Sequence, residues 1–338
     1  MKRIGIICPS EIAFRRFLPA LKEAGCFEYA GVSIASKEEF VGATDEILAK
    51  EKAKAQSFVD SYGGKIYEGY KTLIHSDEVD AIYLPLPPGL HYQWAKEALS
   101  AGKHILCEKP CTTALATTDY LLKDAEAKGL AAHENYMFAF HDQLKAVDDI
   151  VKSEEIGDVR LYRISFGFPM RAPNDFRYNK TLGGGALLDC GGYTLKYASM
   201  LLGPTAKIKY AQSNNIEGFN VDMYGSAAMV NDEGVTAQVA FGMDHNYKCE
   251  LEVWGSKGTI YTNRILTAPA GLVPEVIIRK GNEEEKRNLP ADDAFKKSIL
   301  HFCKCIEDAE TRKANYETLL RQARLVERFK QLAGIDVK

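Results

Sequence analysis

The sequence lacks a G-x-G-x-x-G turn, a C-x-x-C pair, a long apolar run and an excess of either charge. Each absence removes a class of protein. Against 46 Asp and Glu stand 43 Lys and Arg, the two signs interspersed, and a net charge of −3 gives no pull towards nucleic acid. The opening MKRIGIICPSEIAFRR holds an apolar run of about five residues, too short for a signal peptide or a membrane span. A cytoplasmic protein without a membrane partner is therefore expected. Eight scattered cysteines, none in metal-ligand spacing with a His, read as reduced core thiols, and no metal is expected. No low-complexity tract or internal repeat is visible.

What is present is length and a change of pattern. At 338 residues the chain exceeds what one core usually fills, so two domains are expected. Up to about Tyr136, short apolar runs alternate with helical patterns, the mark of βαβ units and a parallel sheet. Ile4–Ile7, Tyr29–Ala35, Ala81–Leu84, His104–Cys107 and Ala131–Asn135 are the clearest strands, with a weaker one near Ile66. Phe14, Phe17, Leu18 and Leu21 fall at i, i+3, i+4 and i+7, which predicts a helix packed on that sheet.

Beyond Phe140 a helix with Leu144, Val147, Ile150 and Val151 precedes a strand at Val159–Phe166. Ile208–Gln212, Gly225–Val230, Thr236–Phe241, Glu250–Trp254 and Val276–Arg279 then follow without intervening helices, which implies a largely antiparallel sheet. Ala294–Leu332 reads as helices. The expected fold is α/β: a Rossmann domain over residues 1–136, then an α/β domain with a mainly antiparallel sheet over residues 137–338, its last helices able to pack back on the first domain.

Several segments place chemistry where a parallel sheet binds ligands. The turn after the first strand is Cys8, Pro9, Ser10, Glu11, Ile12, where a dinucleotide's pyrophosphate would meet backbone N–H groups. An ordinary βα loop is the competing reading. At the end of the second strand stand Ser36 and Lys37, a small residue and a cation that suit the 2′-phosphate of NADP better than the ribose of NAD, although Glu38 and Glu39 follow at once. Glu108 and Lys109 close another strand, with a surface salt bridge as the plain alternative. From Gly183-Gly184-Gly185 a helix is expected to run to Leu202, stopped by Gly203-Pro204. On it Asp189, Tyr193 and Lys196 lie at i, i+4 and i+7, so one stripe of an apolar helix carries a carboxylate, a phenol and an ammonium.

In order along the chain, Ile12-Ala13 to Leu21, Leu84-Pro85-Leu86-Pro87 with His91, Ala101 to Glu108-Lys109-Pro110, Glu134-Asn135-Tyr136-Met137, Phe176-Arg177, Gly183 to Asp189 and Gly255-Ser256-Lys257-Gly258 resemble the GFO/IDH/MocA oxidoreductase family. The resemblance implies hydride transfer between a nicotinamide, NADP with NAD as the other candidate, and a secondary alcohol or ketone of a sugar, nucleotide-linked sugars included. It implies an open second sheet and a homodimer or homotetramer. Lys109 and Asp189 match the family's motifs, and Tyr193 stands where a His is usual, as in the subgroup of glucose–fructose oxidoreductase, dihydrodiol dehydrogenase and nucleotide-sugar ketoreductases. Lys109, Tyr193 and Asp189 are the expected catalytic residues. Cys8 to Ile12, Ser36, Lys37, Leu86, Pro87, His91, Glu108, Lys109, Asn135 and Arg177 are expected at the cofactor, and Tyr136, Arg171 and Lys196 join the catalytic residues at the substrate.

Three positions depart from the family pattern. Cys8 and Ser10 replace glycines, with a side chain at Ser10 expected to crowd the pyrophosphate. Pro88 stands where Asn is common, and Lys196 where Asp or Asn is. A non-catalytic NADP-binding regulator is the rival reading, favoured by the altered turn and opposed by the retention of Lys109, Asp189 and Tyr193.

Overall fold

In the computed structural model, which describes residues 1–40 and 42–335, the first six strands form one parallel sheet. They are β1 (Lys2–Ile7), β2 (Phe27–Ile34), β3 (Lys65–Glu68), β4 (Ala81–Leu84), β5 (His104–Cys107) and β6 (Ala132–Glu134). Their order is β3-β2-β1-β4-β5-β6, which reverses direction between β1 and β4. A crevice at that reversal, above the carboxyl ends of the strands, is where such sheets bind ligands. Both faces are covered, so β4 reads as an unbroken apolar run and every residue of β4 and β5 is buried.

The helices of this unit are α1 (Leu18–Ala24), α2 (Asp45–Tyr62), α3 (Tyr70–Ile74), α4 (Pro88–Ser100) and α5 (Leu115–Ala127). Thr44 caps α2, its Oγ1 accepting the Ile47 N–H at 3.2 Å, and Asp45 and Glu46 favour the positive end of the helix dipole. A π-turn over Ala13–Phe17 precedes α1. That wider turn carries an extra residue and alters the expected stripe. Phe17, Leu18 and Leu21 are buried, with Phe17 stacked on Tyr83, whereas Phe14 is half-buried with its ring 5.1 Å from Phe58 of α2.

The second sheet comprises β7 (Val159–Gly167), β8 (Lys207–Asn214), β9 (Tyr224–Val230), β10 (Thr236–Gly242), β11 (Lys248–Gly255), β12 (Thr259–Asn263), β13 (Glu275–Lys280) and β14 (Glu283–Asn288). The order is β14-β13-β12-β11-β7-β10-β9-β8, antiparallel except where β7 meets β10. Residues of β10 alternate between exposed and buried, so this sheet has one covered face. Two helices, α6 (Asp142–Lys152) and α7 (Gly192–Leu202), belong to this unit, and α7 packs against β7 and β10. Strands β12 and β14 were not expected. The β14 sequence EEEKRN has no apolar residue to reveal it, and such charge is how an edge strand avoids pairing with other chains.

The chain ends in α8 (Ala294–Glu307) and α9 (Ala309–Ala333). By internal contacts it divides into Met1–Asn135 with Phe295–Leu320, and Tyr136–Ala294 with the chain from Arg321 onward. Leu319 and Tyr316 of α9 enter the core of the first unit, and Leu325 and Phe329 that of the second. Among the described residues no helix is long and apolar enough to cross a membrane. All eight cysteines are free, Cys8, Cys26 and Cys303 half-buried and the rest buried.

Candidate active site

In the first unit the phosphate turn keeps its shape without glycine. Cys8 has φ +74°, the left-handed region that a glycine would favour, and its N–H donates to Ser33 O at 3.1 Å. The Ser10 N–H turns back to Cys8 O, and Ser10 Oγ accepts the Ala13 N–H at 3.2 Å. Ser10 thus caps the helix start, and its hydroxyl occupies one of the amides that point out of a helix N-terminus. Pro9 is buried between them, while Glu11, ion-paired to Arg15, and Ile12 are exposed.

Beyond β2 lies a cleft of about 420 Å³ lined by Ser36, Leu48, Ala49, Lys52 and Gly69 among others. Ser36 Oγ donates to Glu38, and Lys37 Nζ is 2.6 Å from Asp45. Glu39 gathers three backbone N–H groups, those of Ser36, Tyr70 and Lys71, at 2.7–2.9 Å and ties the strand end to α3. From the sequence, Glu38 and Glu39 could have belonged to a helix start. They lie in a turn instead, and Glu39 fixes Ser36, which lines the cleft, against α3. The sheet order, the left-handed Cys8 and a cleft lined by Ser36 fit a dinucleotide.

At the ends of β4 and β5 the structure alters the expectation for His91. The ring is completely buried, its Nδ1 2.8 Å from Pro110 O and its Nε2 2.7 Å from Leu86 O. A neutral ring donates to only one of these carbonyls, and from its buried place it braces the Leu86-Pro87 segment against the loop of Lys109. Burial pushes its pKa down. Glu108 Oε1 accepts from Tyr83 OH at 2.6 Å and from Asn135 Nδ2 at 2.7 Å. Burial raises its pKa, and these donors and Lys109 act in the opposite sense. Asn135 in turn accepts from Ser298 Oγ at 2.7 Å, and Ser298 lies 2.9 Å from His133 Nε2. Ser298, on α8, is nearly 190 residues from Lys109 in the chain, so no local pattern could have linked them.

In the second unit a π-turn, Leu187–Gly191, leads into α7, so the stripe predicted for a plain α-helix is rewound at Asp189. Tyr193 is buried, edge-on to Tyr136 with centroids 5.0 Å apart and close to Phe138 and Phe166. The Lys196 Nζ lies 5.0 Å from the Tyr136 ring centroid, a cation–π contact one ring from Tyr193. Gly192 makes this packing feasible, since a Cβ there would sit 2.2 Å from Tyr136 OH. Asp189 and Arg177 form an ion pair at 2.6 Å, and Asp175, which sequence reading missed, holds the other side of the guanidinium at 3.1 Å. Burial opposes the charge on Arg177, but the two carboxylates outweigh it and hold the proton more firmly. Arg177 was expected at the cofactor; the structure commits it to Asp189. Arg171 is exposed, its guanidinium 5.2 Å from the Phe168 ring, which packs 6.0 Å from Phe166 of the cluster around Tyr193.

Residues 3–136 match the oxidoreductase family with an NAD-binding Rossmann fold, GFO/IDH/MocA, and residues 144–261 match the GFO/IDH/MocA C-terminal domain. The dTDP-3,4-didehydro-2,6-dideoxy-alpha-D-glucose 3-reductase of Actinomadura kijaniata is 37% identical, over 96% of this chain and 93% of its own. The D-xylose 1-dehydrogenase (NADP(+)) 2 of Haloferax volcanii is 26% identical, over 93% and 91%. KijD10, a 3-ketoreductase from Actinomadura kijaniata solved with NADP and TDP-benzene, superposes with a TM-score of 0.89 at 36% identity, over 98% of this chain and 97% of that one. KijD10 has also been solved as a tyrosine-to-phenylalanine and as a lysine-to-alanine variant. This chain is a member of the GFO/IDH/MocA family of oxidoreductases with an NAD-binding Rossmann fold.

Proposed function

We propose that this protein reduces a keto group on a nucleotide-linked sugar, with NADPH as the preferred hydride donor. The reading is carried by one pairing: likeness to a nucleotide-sugar 3-reductase along almost the whole chain, together with Lys109 at a strand end and Tyr193 on a buried helix. A bound nicotinamide supplies the hydride. Tyr193 gives its proton to the carbonyl oxygen, and the ring cluster of Tyr136, Phe138 and Phe166 keeps water from its phenol. Lys109 places a positive charge for the oxyanion as it forms. Asp189, oriented by Arg177, accepts a hydrogen bond from a sugar hydroxyl. Lys196 sets a charge behind Tyr136, which favours the ionised phenol once the proton has left.

Residues 1–136 hold the cofactor and residues 137–338 the sugar. Ser36 and Lys37 receive the 2′-phosphate. The left-handed Cys8 weakens the rival reading of a non-catalytic regulator, because the phosphate turn has the backbone that a glycine would give it. Exposed Tyr210, Tyr224 and Trp254 on the second sheet fit a surface joining copies into a homodimer or homotetramer, and the eight free cysteines fit the cytoplasm.

The test is NADPH consumption with a thymidine-diphosphate-linked 3-ketosugar, compared with its Lys109→Ala variant. Turnover by the unmodified protein and none by the variant, at the same melting temperature, supports the reading. Tight NADPH binding with no turnover on any ketosugar would favour the regulator.

A further inference from the structure

One half-buried carboxylate has no part in the chemistry above. Asp222 Oδ2 accepts the Leu187 N–H at 2.6 Å, and its carbonyl accepts the Ala186 N–H at 2.8 Å. These amides begin the helix that carries Asp189, Tyr193 and Lys196. That helix has no cap of its own, since Ala186 stands at the N-cap position without a side-chain bond. Gly185, at φ +119°, makes the docking feasible: a Cβ there would lie 2.2 Å from Asp222 Oδ1. The preceding glycine is just as constrained, because a Cβ on Gly184 would meet Arg177 O at 2.4 Å. The glycine triplet is therefore a seat for Asp222 on one side and for the backbone of Arg177 on the other.

We propose that Asp222 is a positioning residue for proton transfer, its ionised carboxylate holding the π-turn Leu187–Gly191 so that Asp189 and Tyr193 keep their register. The proposal rests on Tyr193 as the proton donor.

The charge has a cost that a purely structural role does not explain. Burial pushes the Asp222 carboxyl up to about 6, against the Leu187 amide and the Lys330 charge, which pull it down. Because the folded pKa lies above the unfolded one, this group favours folding below the unfolded pKa, and that contribution is lost as pH rises through about 6. Around neutrality an asparagine would leave an acceptor for Leu187 and no desolvated charge. What the carboxylate adds is a charge-assisted bond at a helix N-terminus, stronger than a neutral one. The charged groups nearby are Lys330 on α9, its own pKa lowered by burial, with Glu327 close to it. Asp189, the acidic residue in the same turn, is held by Arg177.

The experiment compares unmodified protein with Asp222→Asn and Asp222→Ala from about pH 5 to pH 9, reading kcat, KM, melting temperature and hydrogen exchange of the Leu187 amide. Asp222→Asn should melt no lower than the unmodified protein at neutral pH. It should lose about tenfold in kcat, keep KM within about threefold, and lose the acid limb of the kcat profile near pH 6. Its Leu187 amide should exchange faster, and Asp222→Ala should be worse in stability and rate together. An Asn variant with unchanged kcat and the same acid limb overturns the proposal. So does one whose melting temperature and kcat fall together as far as those of the Ala variant. If the unmodified protein turns over no ketosugar, the reading of Tyr193 fails, while Leu187 exchange still decides whether the Asp222 charge holds the turn.

Discussion

Arg177 Nε lies 2.6 Å from Asp189 Oδ2, and the same guanidinium reaches Asp175 at 3.1 Å, so one half-buried arginine sets the direction of the carboxylate that precedes Tyr193. The two residues are 12 apart and sit on different elements, a short 3₁₀ turn and a π-turn. Replacing Arg177 by Lys keeps a charge but loses the fork that serves both carboxylates. We expect Arg177→Lys to cost about 1–3 kcal/mol of stability, read from urea melts, and to raise KM for the sugar more than that for NADPH. Equal rises for both ligands would return Arg177 to the cofactor.

Tyr193→Phe removes one hydroxyl and keeps the ring against Tyr136 and Phe166. Loss of a positioned proton donor lowers kcat by about 10²–10⁴, whereas a lost neutral hydrogen bond of about 1 kcal/mol lowers it by no more than about fivefold. Tyr193→His should recover part of the rate with a pH optimum moved downwards. A Phe variant that keeps more than about a fifth of the activity shows that the phenol only packs.

Lys37 pairs with Asp45, so a 2′-phosphate competes with a carboxylate for the same ammonium. Lys37→Ala should narrow the preference for NADPH over NADH, and Asp45→Asn should widen it by a few-fold, measured by fluorescence titration of both cofactors. Equal dissociation constants for NADPH and NADH in the unmodified protein would remove Lys37 from the site.

His104 Nδ1 accepts the Ala131 N–H at 2.9 Å, which requires an unprotonated nitrogen. Burial, helped by Lys2 and Arg312, lowers its pKa to about 4. A depressed pKa means that the stabilisation is present above the unfolded value near 6.5 and is lost as pH falls through about 4. Stability should therefore drop between about pH 6.5 and pH 4, by at most about 3 kcal/mol, read as a fall in melting temperature. In His104→Asn, whose Oδ1 can accept the same N–H, the drop should shrink; an unchanged acid profile would assign it to other groups.

Periodicity alone carried most of the architecture. The βαβ alternation up to Tyr136 and the strand runs after Val159 are set by which side chains must be buried, and that is written in local spacing. Lys109, Asp189 and Tyr193 also stand out locally in the sequence, as a strand-end lysine and polar residues on an apolar helix. Local spacing was silent where burial does not decide, as in β14, whose charges keep an edge apart. It misled at both π-turns, where one extra residue rewinds a stripe that hydrophobic period reads as α-helix. Tertiary structure alone settled which polar groups meet: His91 with two carbonyls, Ser298 with Asn135, Arg177 with Asp189, Asp222 with Leu187. Hydrogen bonds and ion pairs act over a few ångströms between residues 5 to 163 apart in the chain, so partners are chosen by the packing of whole elements, which no local pattern of the sequence contains.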